Sequence, residues 1–240
     1  MSRVLVILGG CGGIGRELAH QAGAAGYQLI LLDLPASIER YQPDHPAFGV
    51  DARDPASLRA ALAHLPDTID GFVNLAGFMG KNQPLLDTDE ASWAEIISGN
   101  LDAVFYAARV IGPLVRAGGA LVLTSSGLGH FARPGYGPYA VSKAGISAVT
   151  RQLALEMAPH IRVNAVAPAA VDTAFLRGGT GRSDEKAAPR FDIDAYAATI
   201  PLGRIAVPQD IAGPVLFLLS EAAGYITGQT LHINGGSFMA

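Results

Sequence analysis

The feature that most constrains this chain is an alternation. Short, mainly apolar runs at 4–8, 28–32, 71–75, 120–124, 162–167 and 230–233 are separated by longer stretches of helical period. Those stretches fall at 16–26, 55–65, 91–114, 139–158 and 209–220. A strand that is apolar along its length has both faces buried, the condition of a parallel sheet covered by helices on each side. Parallel neighbours need crossover connections, which the helical stretches supply. The expected fold is α/β: one doubly wound domain over residues 1–240, with no internal repeat and no Ser- or Pro-rich linker to divide it. One compositional break, at 177–190, is rich in glycine and charge. With its flanks it is expected to form a mobile substrate lid over 174–199.

Composition removes several alternatives. The 17 basic and 21 acidic side chains leave a formal charge of −4, without a basic cluster, so no nucleic-acid partner is expected. A single cysteine, Cys11, cannot form an intrachain disulfide. The six histidines show no paired metal spacing, so no metal is expected. No apolar run approaches the ~18 residues of a membrane span, and the run at 4–8 is too short for a signal peptide. A cytoplasmic protein with no membrane partner is the expectation.

The first run leads into Gly9-Gly10-Cys11-Gly12-Gly13-Ile14-Gly15, with a helix expected from near Arg16. Glycines there let the backbone turn tightly and approach a ligand. Their N–H groups and the following helix N-terminus suit a pyrophosphate. The second run ends at Asp33, where a carboxylate can accept both ribose hydroxyls of NAD and repels a 2′-phosphate. Cys11 reads as a small turn residue rather than a reactive thiol.

Tyr139 and Lys143 stand four apart in a helical stretch and so share one face. With seven Tyr and three Lys in the chain, that pair arises by chance about 0.09 times, and Ser126 at the end of the preceding run makes the set rarer still. A phenol is a poor base at neutral pH, but a neighbouring ammonium and a cationic nicotinamide favour its phenolate. Ser126 would hold the reacting oxygen. His130 could face substrate, although an ordinary loop histidine is the simpler reading. Phe78, Met79, Leu128, Phe131 and Tyr136 could form an apolar pocket.

On these motifs the chain resembles the short-chain dehydrogenase/reductase family, an NAD(P)-binding Rossmann fold, over essentially its whole length. The resemblance places Gly9, Gly12, Gly13, Ile14 and Gly15 at the dinucleotide, Asp51 and Ala52 beside the adenine, and Asn74, Ala76 and Gly77 along the cofactor. It gives Asn100 a water linking Lys143 to solvent, and makes Asn100, Ser126, Tyr139 and Lys143 the catalytic set. Tyr139 and Lys143 also contact the cofactor. Pro168, Val171 and Thr173 match the segment that binds the nicotinamide carboxamide. The family also implies a homotetramer or homodimer, with residues 236–240 at a second interface. Three positions depart from the pattern: Leu8 for Thr, Leu75 for Asn and Ala169 for Gly.

The expected activity is an oxidoreductase passing a hydride between NAD(H) and a small secondary alcohol or its ketone, with Tyr139 as acid and base. The alternative is a 3-oxoacyl thioester reductase, against which Asp33 argues because NADPH is the cofactor expected for a biosynthetic reductase. A non-catalytic dinucleotide-sensing protein would not need the Asn100, Ser126, Tyr139 and Lys143 set.

Overall fold

The computed structural model describes residues 3–179, 186–189 and 191–239. Among them, seven strands form one sheet: β1 (Arg3–Leu8), β2 (Tyr27–Asp33), β3 (Ala47–Gly49), β4 (Ile69–Asn74), β5 (Val115–Thr124), β6 (Arg162–Pro168) and β7 (Thr230–Ile233). All pairings are parallel. The order is β3-β2-β1-β4-β5-β6-β7. The helices are α1 (Gly13–Ala24), α2 (Pro35–Tyr41), α3 (Pro55–Ala61), α4 (Glu90–Ile97), α5 (Ala103–Ile111), α6 (Gly137–Met157), α7 (Ile193–Ala197) and α8 (Pro208–Leu219).

β1 shows why its run is apolar throughout. Val6 and Leu8 join a core with Leu58 of α3, Val104 of α5 and Ile146 of α6. Leu5 and Ile7 point the other way, into a core with Leu18 of α1 and Ile211 and Val215 of α8. Successive side chains of a strand face opposite sides, so a helix layer on each face requires both sets to be apolar. The strand order reverses at β1, and the carboxyl ends of β1 and β4 therefore open the crevice where ligands bind in such sheets.

The structure revises several boundaries. α1 begins at Gly13 rather than near Arg16. Two of the four residues in its first turn are glycine, which hides helical period but does not prevent helical geometry. The stretch 91–114 is not one α-helix: a π turn, Ser98–Asp102, separates α4 from α5. The Asn100 side chain donates to the Ile96 carbonyl (2.9 Å), a competitor for the backbone ladder at that point. β3, α2 and α7 were not anticipated. β3 has three residues at the sheet edge, too few to show a period.

Candidate active site

The loop after β1 is held against two other segments. The N–H groups of Gly9 and Gly10 both donate to the Leu32 carbonyl (2.8 and 3.3 Å). Gly9 has φ +84°, and a side chain there would meet the Ala76 nitrogen at 2.8 Å. A Cβ on Gly15 would collide with the Gly9 carbonyl, so the helix can sit this close to the loop only without one. No side chain caps α1 at Gly12. The first N–H groups of a helix have no carbonyl one turn back, so this end presents free donors and partial positive charge to the cleft. Those features fit an anionic pyrophosphate.

Asp33 ends β2 at the cleft wall. Its two oxygens accept the N–H groups of Cys11 and Leu34, each at 2.8 Å. Burial pushes its carboxyl up, opposed by those hydrogen bonds and one from Ser37. Burial, with Asp33 adding, raises the Cys11 thiol to about 11, in keeping with an inert turn residue. Asp51 holds Arg53 in an ion pair of 2.6 Å, and Asp51, Ala52 and Arg53 line the same end of the cleft.

Ser126, Tyr139 and Lys143 all line one cleft of about 370 Å³ with the glycine loop. Ser126 follows β5, and its hydroxyl accepts the Leu128 N–H (3.3 Å). Tyr139 and Lys143 lie in the first turns of α6 and are only 7% and 3% exposed. Lys143 donates to the Thr124 carbonyl at 2.8 Å, and its nitrogen is 5.5 Å from the centre of the Tyr139 ring. Burial pushes Lys143 down to about 7. It pushes the Tyr139 hydroxyl up, while a hydrogen bond with Ser126 pulls the other way. Without a dinucleotide, desolvation sets the direction for both groups, the ammonium down and the phenol up.

Asn74 and Asn100 are not in the cleft wall. Asn74 is buried, its amide oxygen accepting the Ala76 N–H (3.0 Å) and its carbonyl accepting Thr124 Oγ1 (2.7 Å). Asn100 clamps the backbone of Phe78, donating to its carbonyl (2.9 Å) and accepting its N–H (3.1 Å). A side chain on Gly77 would lie 2.6 Å from Asn100 Oδ1 and 3.4 Å from Lys143 Nζ, so the two residues meet at Gly77. His130 is not among the residues lining the cleft. Its Nε2 is 3.1 Å from Ser147 Oγ, and its ring meets His232 edge-on at 4.5 Å. Ser147 and Ser125 in turn hold the Lys143 backbone, with Ser125 Oγ donating to the Lys143 carbonyl at 2.8 Å.

Pro168 ends β6, and Val171 and Thr173 follow it into the cleft wall. The Thr173 methyl occupies the space that a Cβ on Gly13 would need. Ala169 does not require glycine's freedom: among the described residues Gln42 alone has positive φ outside glycine. Leu8 and Leu75 turn into the core rather than the cleft floor alone, Leu8 being 1% exposed and Leu75 packing beside α1 and α8.

The substrate end holds the five apolar residues anticipated, but also Arg133, Phe175, Phe191, Tyr196 and Ser237. Of the expected lid at 174–199, residues 180–185 and 190 lie outside the described residues. Phe175, Phe191 and Tyr196 come from its described parts, and their apolar character was masked by the charge between them. The C-terminal stretch, expected at an interface, packs Phe238 on Phe131 of its own chain at 5.0 Å between ring centres. Among the described residues no group of three His, Cys, Asp or Glu could hold a metal, and no helix is long and apolar enough to cross a membrane.

A family model described as enoyl-(acyl carrier protein) reductase matches residues 9–237. A relative from Sinorhizobium fredii, named an uncharacterized short-chain type dehydrogenase/reductase, is 36% identical over 98% of this chain. The chain belongs to the short-chain dehydrogenase/reductase family. It spans 43% of that relative's length. It is also similar to the 3-oxoacyl-[acyl-carrier-protein] reductase FabG of Vibrio cholerae, at 31% identity over 99% of this chain and 98% of the relative. Among solved structures, a glucose/ribitol dehydrogenase of the family from Brucella melitensis superposes with TM-score 0.89 at 29% identity, covering 99% of this chain and 97% of the other. A 3-ketoacyl-(acyl-carrier-protein) reductase from Brucella melitensis, complexed with NADH, gives TM-score 0.87 at 26% identity, with 99% and 98% covered. The doubly wound fold and oxidoreductase class anticipated from the motifs accord with these likenesses.

Proposed function

We propose that this oxidoreductase interconverts a secondary alcohol and its ketone, with NAD(H) as the preferred dinucleotide. The observation that carries the reading is the convergence of Ser126, Tyr139 and Lys143 on one cleft with the uncapped start of α1. A bound dinucleotide supplies or accepts the hydride at the reacting carbon. Gly9, Gly12, Gly13, Ile14 and Gly15 cradle its pyrophosphate, Asp33 its ribose, and Asp51 and Ala52 its adenine. Ala76, Gly77, Pro168, Val171 and Thr173 line its nicotinamide half, and Asn74 braces that wall from behind.

In reduction the Tyr139 hydroxyl gives its proton to the carbonyl oxygen, while Ser126 donates a hydrogen bond to the same atom. In oxidation Tyr139 takes the hydroxyl proton as phenolate. Lys143 lies near both the Tyr139 ring and Gly77, which Asn100 also reaches, and the family resemblance supports a water at Asn100 as the onward carrier of the proton. The preference for NAD(H) rests on the Asp33 carboxylate, and on Arg53, a cation lining that end of the cleft, being engaged by Asp51. A screen of alcohols and ketones with NAD, NADH and NADPH, read at nicotinamide absorbance, tests the reading. Turnover of none would overturn it.

A second reading, reduction of 3-oxoacyl thioesters, is favoured by the FabG relatives. Acetoacetyl thioesters in the same screen separate the two. We further read the chain as cytoplasmic and, because Phe105 of α5 and Val141 and Leu155 of α6 are exposed apolar side chains, as a homotetramer or homodimer. The reading of 174–199 as a substrate lid is supported by its described parts, which bring Phe175, Phe191 and Tyr196 to the substrate end.

A further inference from the structure

The cleft beyond Tyr139 has an aromatic wall, with Phe131, Tyr136, Phe175, Phe191 and Tyr196. Three charged side chains stand at that end among the described residues: Lys143, Asp192 and Arg133. Two are already engaged. Lys143 is buried and donates to the Thr124 carbonyl, and the Asp192 carboxylate accepts the Ala195 N–H (3.0 Å) at the start of α7. Arg133 is different. Its guanidinium makes no hydrogen bond or ion pair among the described residues, and lies over the Tyr196 ring, 5.3 Å from its centre. An arginine stacked on an aromatic face is steadied by the ring quadrupole while its N–H donors stay free for a planar anion.

We infer that this end of the cleft takes a ketone or secondary alcohol whose apolar, preferably aromatic, body carries an anionic group, and that Arg133 is the specificity residue holding that anion. Ligand pockets are mostly apolar with a few placed polar groups that fix orientation. Here the aromatic wall takes the body and Arg133, uncommitted among the described residues, takes the charge. The inference rests on the proposed alcohol–ketone chemistry and adds its substrate class. The anion has two chemical sources, a carboxylate on a small ketone or the phosphate of a pantetheine thioester, which share the recognition by Arg133.

The test uses benzoyl carboxylates of graded chain length against their methyl esters, and acetoacetyl pantetheine with and without its 4′-phosphate. Each is assayed on the full-length protein with NADH. Calorimetry of the same carboxylates, with NAD present, gives a readout independent of turnover. Arg133 is exposed, so Arg133→Gln keeps the fold. The expected result is that the wild-type ratio of kcat/KM, anionic over neutral, falls roughly tenfold in Arg133→Gln, the effect of one partly exposed charge-assisted hydrogen bond. Arg133→Lys restores part of it, and the pair that responds identifies the source. Equal use of charged and neutral partners, or the same ratio in Arg133→Gln, overturns the anion site while turnover of the neutral ketones upholds the oxidoreductase reading. If no ketone is turned over yet carboxylate binding is lost in Arg133→Gln, the anion site stands and the catalytic reading falls. Neither binding nor turnover overturns both.

Discussion

The Asp33 carboxylate accepts the N–H of Cys11 at 2.8 Å, tying the tip of β2 to the glycine loop that follows β1. Leu8, where the family pattern has Thr, cannot brace that loop with a side-chain hydrogen bond. Asp33 supplies a brace from the neighbouring strand, so the group proposed to select the cofactor also shapes the loop that holds it.

Replacing Asp33 should therefore do two things at once. Asp33→Ala leaves the Cys11 and Leu34 N–H groups without their acceptor, at a cost of about 1–3 kcal/mol in stability. Asp33→Asn keeps one of the two acceptor oxygens and removes the charge, so it should lose less stability than Asp33→Ala while its preference for NADH over NADPH drops. Denaturant titration and dinucleotide binding at one salt concentration measure the two effects. An unchanged NADH/NADPH ratio in Asp33→Asn would remove the basis for the NAD assignment.

Gly15→Ala should be the more damaging loop substitution, and Gly12→Ala the milder. A Cβ on Gly15 runs into backbone atoms of Gly9 and Gly10, which cannot move without opening the loop, whereas one on Gly12 meets only the Gly9 carbonyl at 3.3 Å. NADH affinity, followed by the fluorescence of the bound nucleotide, should fall at least ~10-fold in Gly15→Ala. Comparable affinity in the two variants would contradict the close-packing argument.

Much of this arrangement was legible in the sequence, for physical reasons that also explain what was not. Runs apolar on both faces, such as Leu5 to Leu8, have no stable home except a covered parallel sheet, and Tyr139 and Lys143 share a face wherever that stretch is helical. The Asn100 turn was legible only as a residue identity. Its departure from α geometry depends on the Ile96 and Phe78 backbone groups that the side chain meets in the fold. The same holds for His130, whose partners Ser147 and His232 are distant in sequence. Phe78, Phe131 and Tyr136 at the substrate end were legible as loop aromatics, but Phe175, Phe191 and Tyr196 were not, because they flank a charged stretch and composition averages over a window that the fold does not respect.

Assembly should respond to the exposed apolar side chains of α5 and α6. Phe105 is 49% and Leu155 78% exposed in the single chain. A buried large side chain is worth about 1.5–3 kcal/mol, so Phe105→Asp with Leu155→Asp should dissociate the oligomer. Light scattering at micromolar concentration should then give the mass of one chain, against a multiple of it for the wild type. A wild-type monomer would contradict the proposed assembly.

Lys143 should burden the stability of the dinucleotide-free protein in a pH-dependent way. Its folded pKa, about 7, lies below the ordinary 10.5. Between these values the unfolded chain binds a proton that the folded chain does not, so stability rises with pH across that window. Below pH ~7 both states are charged and the burial penalty is felt in full. Lys143→Met removes the ammonium, although it leaves the Thr124 carbonyl without its donor. It should be more stable than the wild type near pH ~6, by about 1–3 kcal/mol, with the gap narrowing as pH rises toward ~9.5. Parallel denaturant curves across that range decide it, and a gap independent of pH would show that the buried ammonium carries no such penalty.

Tyr139 carries the sharpest prediction. Burial pushes its hydroxyl above the ordinary phenol range, so the dinucleotide-free protein keeps it protonated at neutral pH. That is the form reduction needs, because the hydroxyl must give a proton to the carbonyl oxygen. Oxidation needs the phenolate, so its kcat should climb with pH while the reductive kcat stays level and then declines. Tyr139→Phe removes the transferable proton without touching the glycine loop or Asp33. Turnover in both directions should fall about 10²–10⁴-fold, with NADH affinity nearly unchanged. Ser126 loses a hydrogen-bond partner in this variant but keeps its contact with the Leu128 N–H, so its hydroxyl should stay in place. Near wild-type turnover by Tyr139→Phe, on any substrate found in the screen, would mean that the proton travels by another group and that the convergence of Ser126, Tyr139 and Lys143 serves binding alone.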